Sequence, residues 1–344
     1  MNSYERVMAS LSLSKPDRTP VSFWFHWYNT FAGFGYQEYC KDGKKFARSH
    51  LAFLERFKVD YLKVTPDGNY MVEDWGCKLE WDEPRAHTKI VEYSVSSVED
   101  WEALEPLNPN RCKMLSEQLV AAEILAEKIG KETPFIFTLF SPLTIAIKLA
   151  GSETVAAHIR SAKRPLLRGL RTISEFTIEF GEALLDQGAT GIFYATQVAT
   201  KDFLTYEQYD EFCSPFDMRI LGALSQSDIT VLHLHSEKRG DEIPFERIAR
   251  YRVDALNWWD RGVKPSLPDA KKLYGNKFCL VGGLDHASTL HHGLSSEVRR
   301  EALEAIRKGG PEGFMLGPGC TVAAGAKLEN FEAAIEAASS SIVP

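Results

Sequence analysis

At 344 residues, 44% of them hydrophobic, the chain is long enough to bury one large core. Its net charge of −7, with no basic block denser than the acid-interrupted Lys41-Asp42-Gly43-Lys44-Lys45, argues against a nucleic-acid binder. No apolar stretch reaches the roughly 18 residues of a membrane span, Met1–Val7 lacks the apolar core of a signal peptide, and six scattered cysteines read as reduced thiols, so a cytoplasmic protein is expected.

Eight short apolar runs follow one another along the chain: Val21–Phe25, Tyr61–Thr65, Phe135–Phe140, Gly191–Ala195, Thr230–His235, Ala255–Trp259, Cys279–Leu284 and Phe314–Leu316. Near-continuous apolar runs suit strands buried on both faces. Amphipathic stretches lie between them. Lys44–Phe57 sets Phe46, Phe53, Leu54 and Phe57 on one helical face, with Leu51 off the stripe. Arg168–Leu185 carries a second such surface, and Ser295–Ile306 a third, with a cap expected at Ser295-Ser296-Glu297. Strands alternating with helices predict a single (β/α)8 TIM barrel over residues 1–344. The gap between the second and third runs is too long for one crossover. Residues 68–133 are expected as an insertion forming a lid, with a hairpin near Met71–Trp81 and a helix over Lys113–Ile129.

Barrel enzymes carry their chemistry on the loops that follow the strands. Here those loops offer His26, Asp67, Ser141, Gln197, His235, Asp260, Asp285 and Cys320. His233 and His235 stand one residue apart on one strand, so they share a face, roughly 6.5 Å apart along the chain. Cys320 closes the last run. Two imidazoles and a thiolate with one vacant position is the arrangement of a catalytic zinc. His26 is a candidate acid, and Asp260 and Asp285 are candidates for acid–base work or for orienting a ligand histidine; each aspartate is equally suited to capping a helix. Gln197, Asp67 and Trp27 are candidate substrate contacts, although Asp67-Gly68-Asn69 also reads as a turn. His291-His292 reads as surface.

The chain resembles the uroporphyrinogen decarboxylase superfamily along nearly its whole length. Arg6-Val7-Met8-Ala9-Ser10-Leu11 with Lys15-Pro16-Asp17-Arg18-Thr19-Pro20 is similar to the shared N-terminal signature. Leu256-Asn257-Trp258-Trp259-Asp260 and Gly282-Gly283-Leu284-Asp285 stand where the family has its own strand-end segments. Gly317-Pro318-Gly319-Cys320, followed by Glu329-Asn330, looks like the ending of the branch of zinc methyltransferases that work with corrinoid proteins.

The decarboxylases of this superfamily carry an arginine-rich stretch after the first strand, which grips the acidic side chains of the porphyrinogen. Phe25–Phe34 contains no arginine, and a polycarboxylate needs such partners. The resemblance therefore implies a methyltransferase. Its zinc would be held by His233, His235 and Cys320, its cobalamin would be carried on a partner corrinoid protein, and its substrate would be a small methoxy compound, methylamine or thiol. The methyltransferases have cysteine where His235 stands. Imidazole for thiolate makes a metal centre one charge more positive, which favours a poorer leaving group such as a methoxy oxygen. Porphyrinogen decarboxylation and a silent tetrapyrrole- or corrinoid-binding barrel are the competing readings.

Overall fold

The computed structural model describes residues 1–130, 132–200 and 202–341. Nine strands are present among the described residues: β1 (Leu62–Val64), β2 (Lys78–Asp82), β3 (His87–Glu92), β4 (Phe135–Phe140), β5 (Gly191–Thr196), β6 (Ile229–Leu234), β7 (Ala255–Trp258), β8 (Cys279–Leu284) and β9 (Phe314–Pro318). Seven of them form one parallel sheet in the order β1-β4-β5-β6-β7-β8-β9. Helices run between successive strands, so the sheet is buried on both faces and its runs are apolar throughout.

The eighth stave is the segment expected as a strand at Val21–Phe25. It is extended and sits between β9 and β1, but makes only isolated bridges, to Leu316 and Val322. Leu316 N–H donates to the Pro20 carbonyl at 2.8 Å and Ser22 N–H to the Leu316 carbonyl at 3.2 Å. On the other flank Asp60 N–H donates to the Val21 carbonyl at 2.9 Å. Side chains replace the rest of the ladder there. The Ser22 hydroxyl donates to the Tyr61 carbonyl at 2.6 Å, and the Tyr28 hydroxyl lies 3.2 Å from the carbonyls of both Phe23 and Lys63. Hydroxyls satisfy carbonyls that a regular partner strand would otherwise bond, which is why a strand-like run forms a stave without a strand's ladder. The architecture is that of a TIM barrel.

The expected helices form with shifted ends. One spans Gly43–Phe57, capped by the Asp42 carboxylate on the N–H groups of Lys44 and Lys45, and another Lys163–Asp186. The helix Ser295–Gly309 is not capped by its serines. Glu297 reaches back to accept the Leu294 N–H at 2.9 Å, while the Ser295 hydroxyl is turned to Asn330.

The excursion between β1 and β4 divides into two parts. The helix Lys113–Ile129 is an ordinary outer-ring crossover, lying so close to Gly43 that a Cβ there would meet the Glu117 carbonyl at 2.2 Å. The hairpin is real but displaced from the expected segment, to β2 and β3. Residues 70–72 are instead buried in a turn, and Asp74 caps the Lys113 helix through three backbone N–H groups. The hairpin is tied to the end of β1, where Asp67 accepts from the Thr88 hydroxyl and Asn69 donates to the Thr88 carbonyl.

The N-terminal signature holds the first stave in place. Asp60, fully buried, accepts from Arg6 Nη1 at 2.7 Å, from Arg18 Nη1 and Nη2 at 2.7 and 2.9 Å, and from the Val21 N–H at 2.9 Å. One carboxylate thus links the first helix, Ser3–Leu11, to the stave and to β1. Removing it takes the shared counter-ion from two guanidinium groups, leaving Arg6 to Asp17 and the Met1 carbonyl and Arg18 to the Thr19 carbonyl. Asp60→Ala is expected to lower unfolding free energy by about 3–5 kcal/mol in urea titration, with the native spectrum retained at low denaturant.

Candidate metal centre and substrate cavity

Because side chains alternate along each stave, every second residue enters the barrel. Trp24 and His26, Lys63 and Thr65, Thr138 and Phe140, Phe193, Ala195 and Gln197, and His233 and His235 all line one cavity of about 390 Å³. Trp259, His286 and Cys320 complete its wall. Among the described residues the lining contains no arginine.

His233, His235 and Cys320 converge there, with one donor atom from each lying within 4.8 Å of the others. Cys320 Sγ is 3.5 Å from His233 Nε2 and 3.3 Å from His235 Nδ1. A tetrahedral ion bonded to sulfur at about 2.3 Å and to nitrogen at about 2.0–2.1 Å separates those donors by about 3.5 Å. The donor set and its spacing therefore fit zinc.

Neighbouring groups fix which nitrogen of each ring is free. His233 Nδ1 lies 2.6 Å from Asn257 Oδ1. The Asn257 amide nitrogen donates to the carbonyls of Val281 and Pro318 at 2.9 and 3.1 Å, so Oδ1 is the end facing the histidine and must accept. His233 Nδ1 thus carries the proton and Nε2 presents its lone pair to the site. At the rim, His235 Nε2 lies 3.3 Å from the Glu237 carboxylate and Nδ1 faces the sulfur. His233 is 5% exposed, whereas the Glu237 side chain is 88% exposed, so the centre reaches from the barrel interior to its mouth. Gly319 allows the close approach. A Cβ there would lie 2.6 Å from the Trp259 Cα, leaving no way for the turn to bring Cys320 inward.

In the metal-free chain the three groups form a charge-paired cluster. Burial alone would raise the Cys320 thiol, but His235 and His233 outweigh it and hold it well below the usual range. Burial opposes a charged His235 as well, yet the thiolate and Glu237 raise it to about 10.

The remaining expected site residues divide. His26 and Gln197 line the cavity. His26 Nδ1 is 3.0 Å from the Pro66 carbonyl, and burial pushes its pKa down to about 4, so at neutral pH the ring is an uncharged acceptor through Nε2 and not an acid. The other four turn elsewhere. Trp27 donates Nε1–H to the Val322 carbonyl at 3.0 Å and stacks on Phe25. Asp67 accepts from the Tyr36 hydroxyl at 2.8 Å and from the Asn69 N–H at 2.8 Å. Asp260, raised to about 6 by burial, accepts the Gly283 N–H at 2.9 Å. Asp285 binds Arg239 at 2.7 Å and Trp259 Nε1 at 3.0 Å. These are structural anchors of the strand ends. Asn257, Glu237, His286 and Lys63 were not anticipated, although Asn257 and Lys63 announce themselves as polar residues inside apolar runs.

Residues 2–341 match the family model described as uroporphyrinogen decarboxylase (URO-D). The chain is 22% identical over 280 residues to the methylcobamide:CoM methyltransferase MtbA of Methanosarcina acetivorans, covering 80% of this chain and 78% of that protein. It is 24% identical over 305 residues to the methylated-thiol–coenzyme M methyltransferase of Methanosarcina mazei, covering 88% and 78%. A solved structure described as a methyltransferase from Methanosarcina mazei superposes with a TM-score of 0.86 at 21% identity over 99% of both chains.

Two outcomes are expected. Protein purified without added metal should carry about one zinc per chain by elemental analysis. His233→Ala, His235→Ala and Cys320→Ala should each lose it, while Asn257→Leu should weaken affinity roughly ten- to a hundredfold in chelator competition. After metal removal, iodoacetamide alkylation of Cys320, followed by mass spectrometry, should stay fast as pH falls below the range where an ordinary thiol protonates, and added zinc should protect it.

Proposed function

The chain belongs to the uroporphyrinogen decarboxylase family, and within it we propose that this protein moves a methyl group between a small heteroatom substrate and the cobamide of a separate corrinoid protein, at a zinc ion held by His233, His235 and Cys320. The observation that carries the proposal is the convergence of those three donors, with the His233 tautomer set for ligation by Asn257. Zinc bound there would lower the pKa of an incoming thiol and hold it as thiolate.

The chain's own residues prepare that position. Asn257 and Glu237 hold the two imidazoles in orientation. Trp24, Phe140, Phe193 and Trp259 wall off water, which strengthens electrostatic interaction inside the cavity. Neutral His26 offers Nε2 as an acceptor for a substrate hydrogen. The cavity volume suits a small molecule, and the mouth-side position of His235 and Glu237 suits approach by a partner bearing its own cofactor.

Sulfur is the favoured heteroatom, since the relatives are named for thiol and coenzyme M chemistry. A second reading has one specific observation behind it. His235 in place of a thiolate leaves the centre more positive, which favours release of a methoxy oxygen. Porphyrinogen decarboxylation lacks support, as no arginine lines the cavity among the described residues. A silent binder leaves the paired tautomers without purpose.

The test is methyl transfer itself. With zinc-loaded protein, methylcobalamin should lose its absorbance in the presence of a small thiol, and His233→Ala should abolish the reaction. Demethylation of aryl methyl ethers with reduced corrinoid protein, in the absence of any transfer to thiols, would establish the second reading. Neither reaction with any corrinoid would sink both.

A further inference from the structure

His291 and His292 stand outside the cavity, on the short helix Thr289–His292 that follows β8. Their rings are nearly perpendicular, and Nδ1 of one lies 3.2 Å from Nδ1 of the other. His291 is half-buried, and its Nε2 is 3.1 Å from the Ala324 carbonyl, which can only accept. Nε2 therefore carries the proton, and the neutral ring keeps its lone pair at Nδ1. His292 is exposed, so solvent lets its proton sit on either nitrogen. In the chain as it stands, His292 Nδ1–H donates to the His291 lone pair. Exchange of that proton to Nε2 of His292 leaves two lone pairs side by side.

Two nitrogens bonded to one ion at about 2.0–2.1 Å lie about 3.3 Å apart on a tetrahedron and about 2.9 Å apart at adjacent corners of a square. The observed 3.2 Å falls between those values. The backbone beneath the pair is pinned. Asn330, fully buried, donates its amide to the carbonyls of Leu290 and Gly293, each at 3.2 Å. The Lys327 N–H reaches the His291 carbonyl at 3.3 Å, and its ammonium the carbonyls of His292 and Gly293 at 3.4 and 3.3 Å. These bonds satisfy the carbonyls at the end of the helix and hold the backbone that carries both rings, while Ala324 holds one ring itself. Little ordering is left for an ion to impose. Among the described residues no third histidine, cysteine or carboxylate joins the pair, so water completes the shell.

We propose that His291 and His292 form a second metal site, separate from the three-donor centre, which takes a borderline divalent ion through both Nδ1 atoms, copper(II) more tightly than nickel(II) or zinc(II). Imidazole suits all three ions, and that order of affinity is general for nitrogen donors. Magnesium and calcium need oxygen ligands and are rejected. The site depends neither on the cavity nor on the methyl-transfer reading. The Ala324 carbonyl belongs to the segment between Cys320 and the helix Leu328–Ser340, so the outer ion and the inner sulfur share one stretch of backbone.

The experiment adds one equivalent of copper(II) to the full chain preloaded with zinc and reads it by pulsed electron paramagnetic resonance, which detects the remote nitrogen of a bound imidazole. Two such imidazoles on one copper are expected. His292→Ala, at an exposed position that the fold does not need, should lower that number and weaken copper binding at least about tenfold in competition with a chromophoric chelator. His291→Ala should do the same. His87→Ala, which removes another exposed histidine, should change neither reading. The three-donor centre also holds two imidazoles, so the measurement is repeated in His233→Ala, where the two-imidazole copper should persist. No such copper in the wild type, its loss in His233→Ala alone, or an affinity unmoved by His292→Ala would each overturn the proposal.

Discussion

A closed parallel barrel forces alternate side chains from all its staves into one interior. That constraint organises this molecule. Apolar inward residues pack and need nothing further. Polar ones have to satisfy one another across strands distant in sequence. Asn257 does so three ways, holding His233 on the neighbouring strand and two carbonyls beyond it. The donor geometry is therefore a by-product of how a barrel resolves its internal polar groups: one amide, satisfied at both ends, leaves a histidine with a single tautomer.

The barrel and the shared face of His233 and His235 were legible in the chain because both rest on periodicity, while Cys320 was joined to them by the resemblance to the methyltransferases. Eight apolar runs announce eight staves, and His233 and His235, two residues apart, must face the same way. What was not legible depends on contacts far along the sequence. Asp260 and Asp285 end strands as catalytic carboxylates do, yet Gly283 claims one and Arg239 with Trp259 the other. Nothing local to either aspartate reveals those partners. The stave at residues 21–25 was visible as a strand, but its irregular bonding was not, because Ser22 and Tyr28 read only as a polar and an aromatic residue until they meet the carbonyls they satisfy. Lys63 and Asn257 stand within strands and not at their ends, each a polar residue inside an apolar run.

The electrostatics of the cavity are asymmetric. One side holds the Cys320 sulfur between two imidazoles; the other holds the Lys63 amino group over the Phe193 ring. Neutral His26 lines the same cavity.

The closing of the barrel bears on how the protein comes into being. The first stave bonds to β9, and the sulfur of the three-donor cluster follows β9 directly. Residues 20–25 leave the ribosome well before residues 314–322, so the growing sheet keeps an open edge until β9 arrives. The Asp60 network steadies that early edge against β1 while it waits. Closure of the ring and completion of the donor set are then a single late event. A chain that stops short of residue 320 has the two histidines without the sulfur, so the three-donor set exists only once β9 has joined the ring.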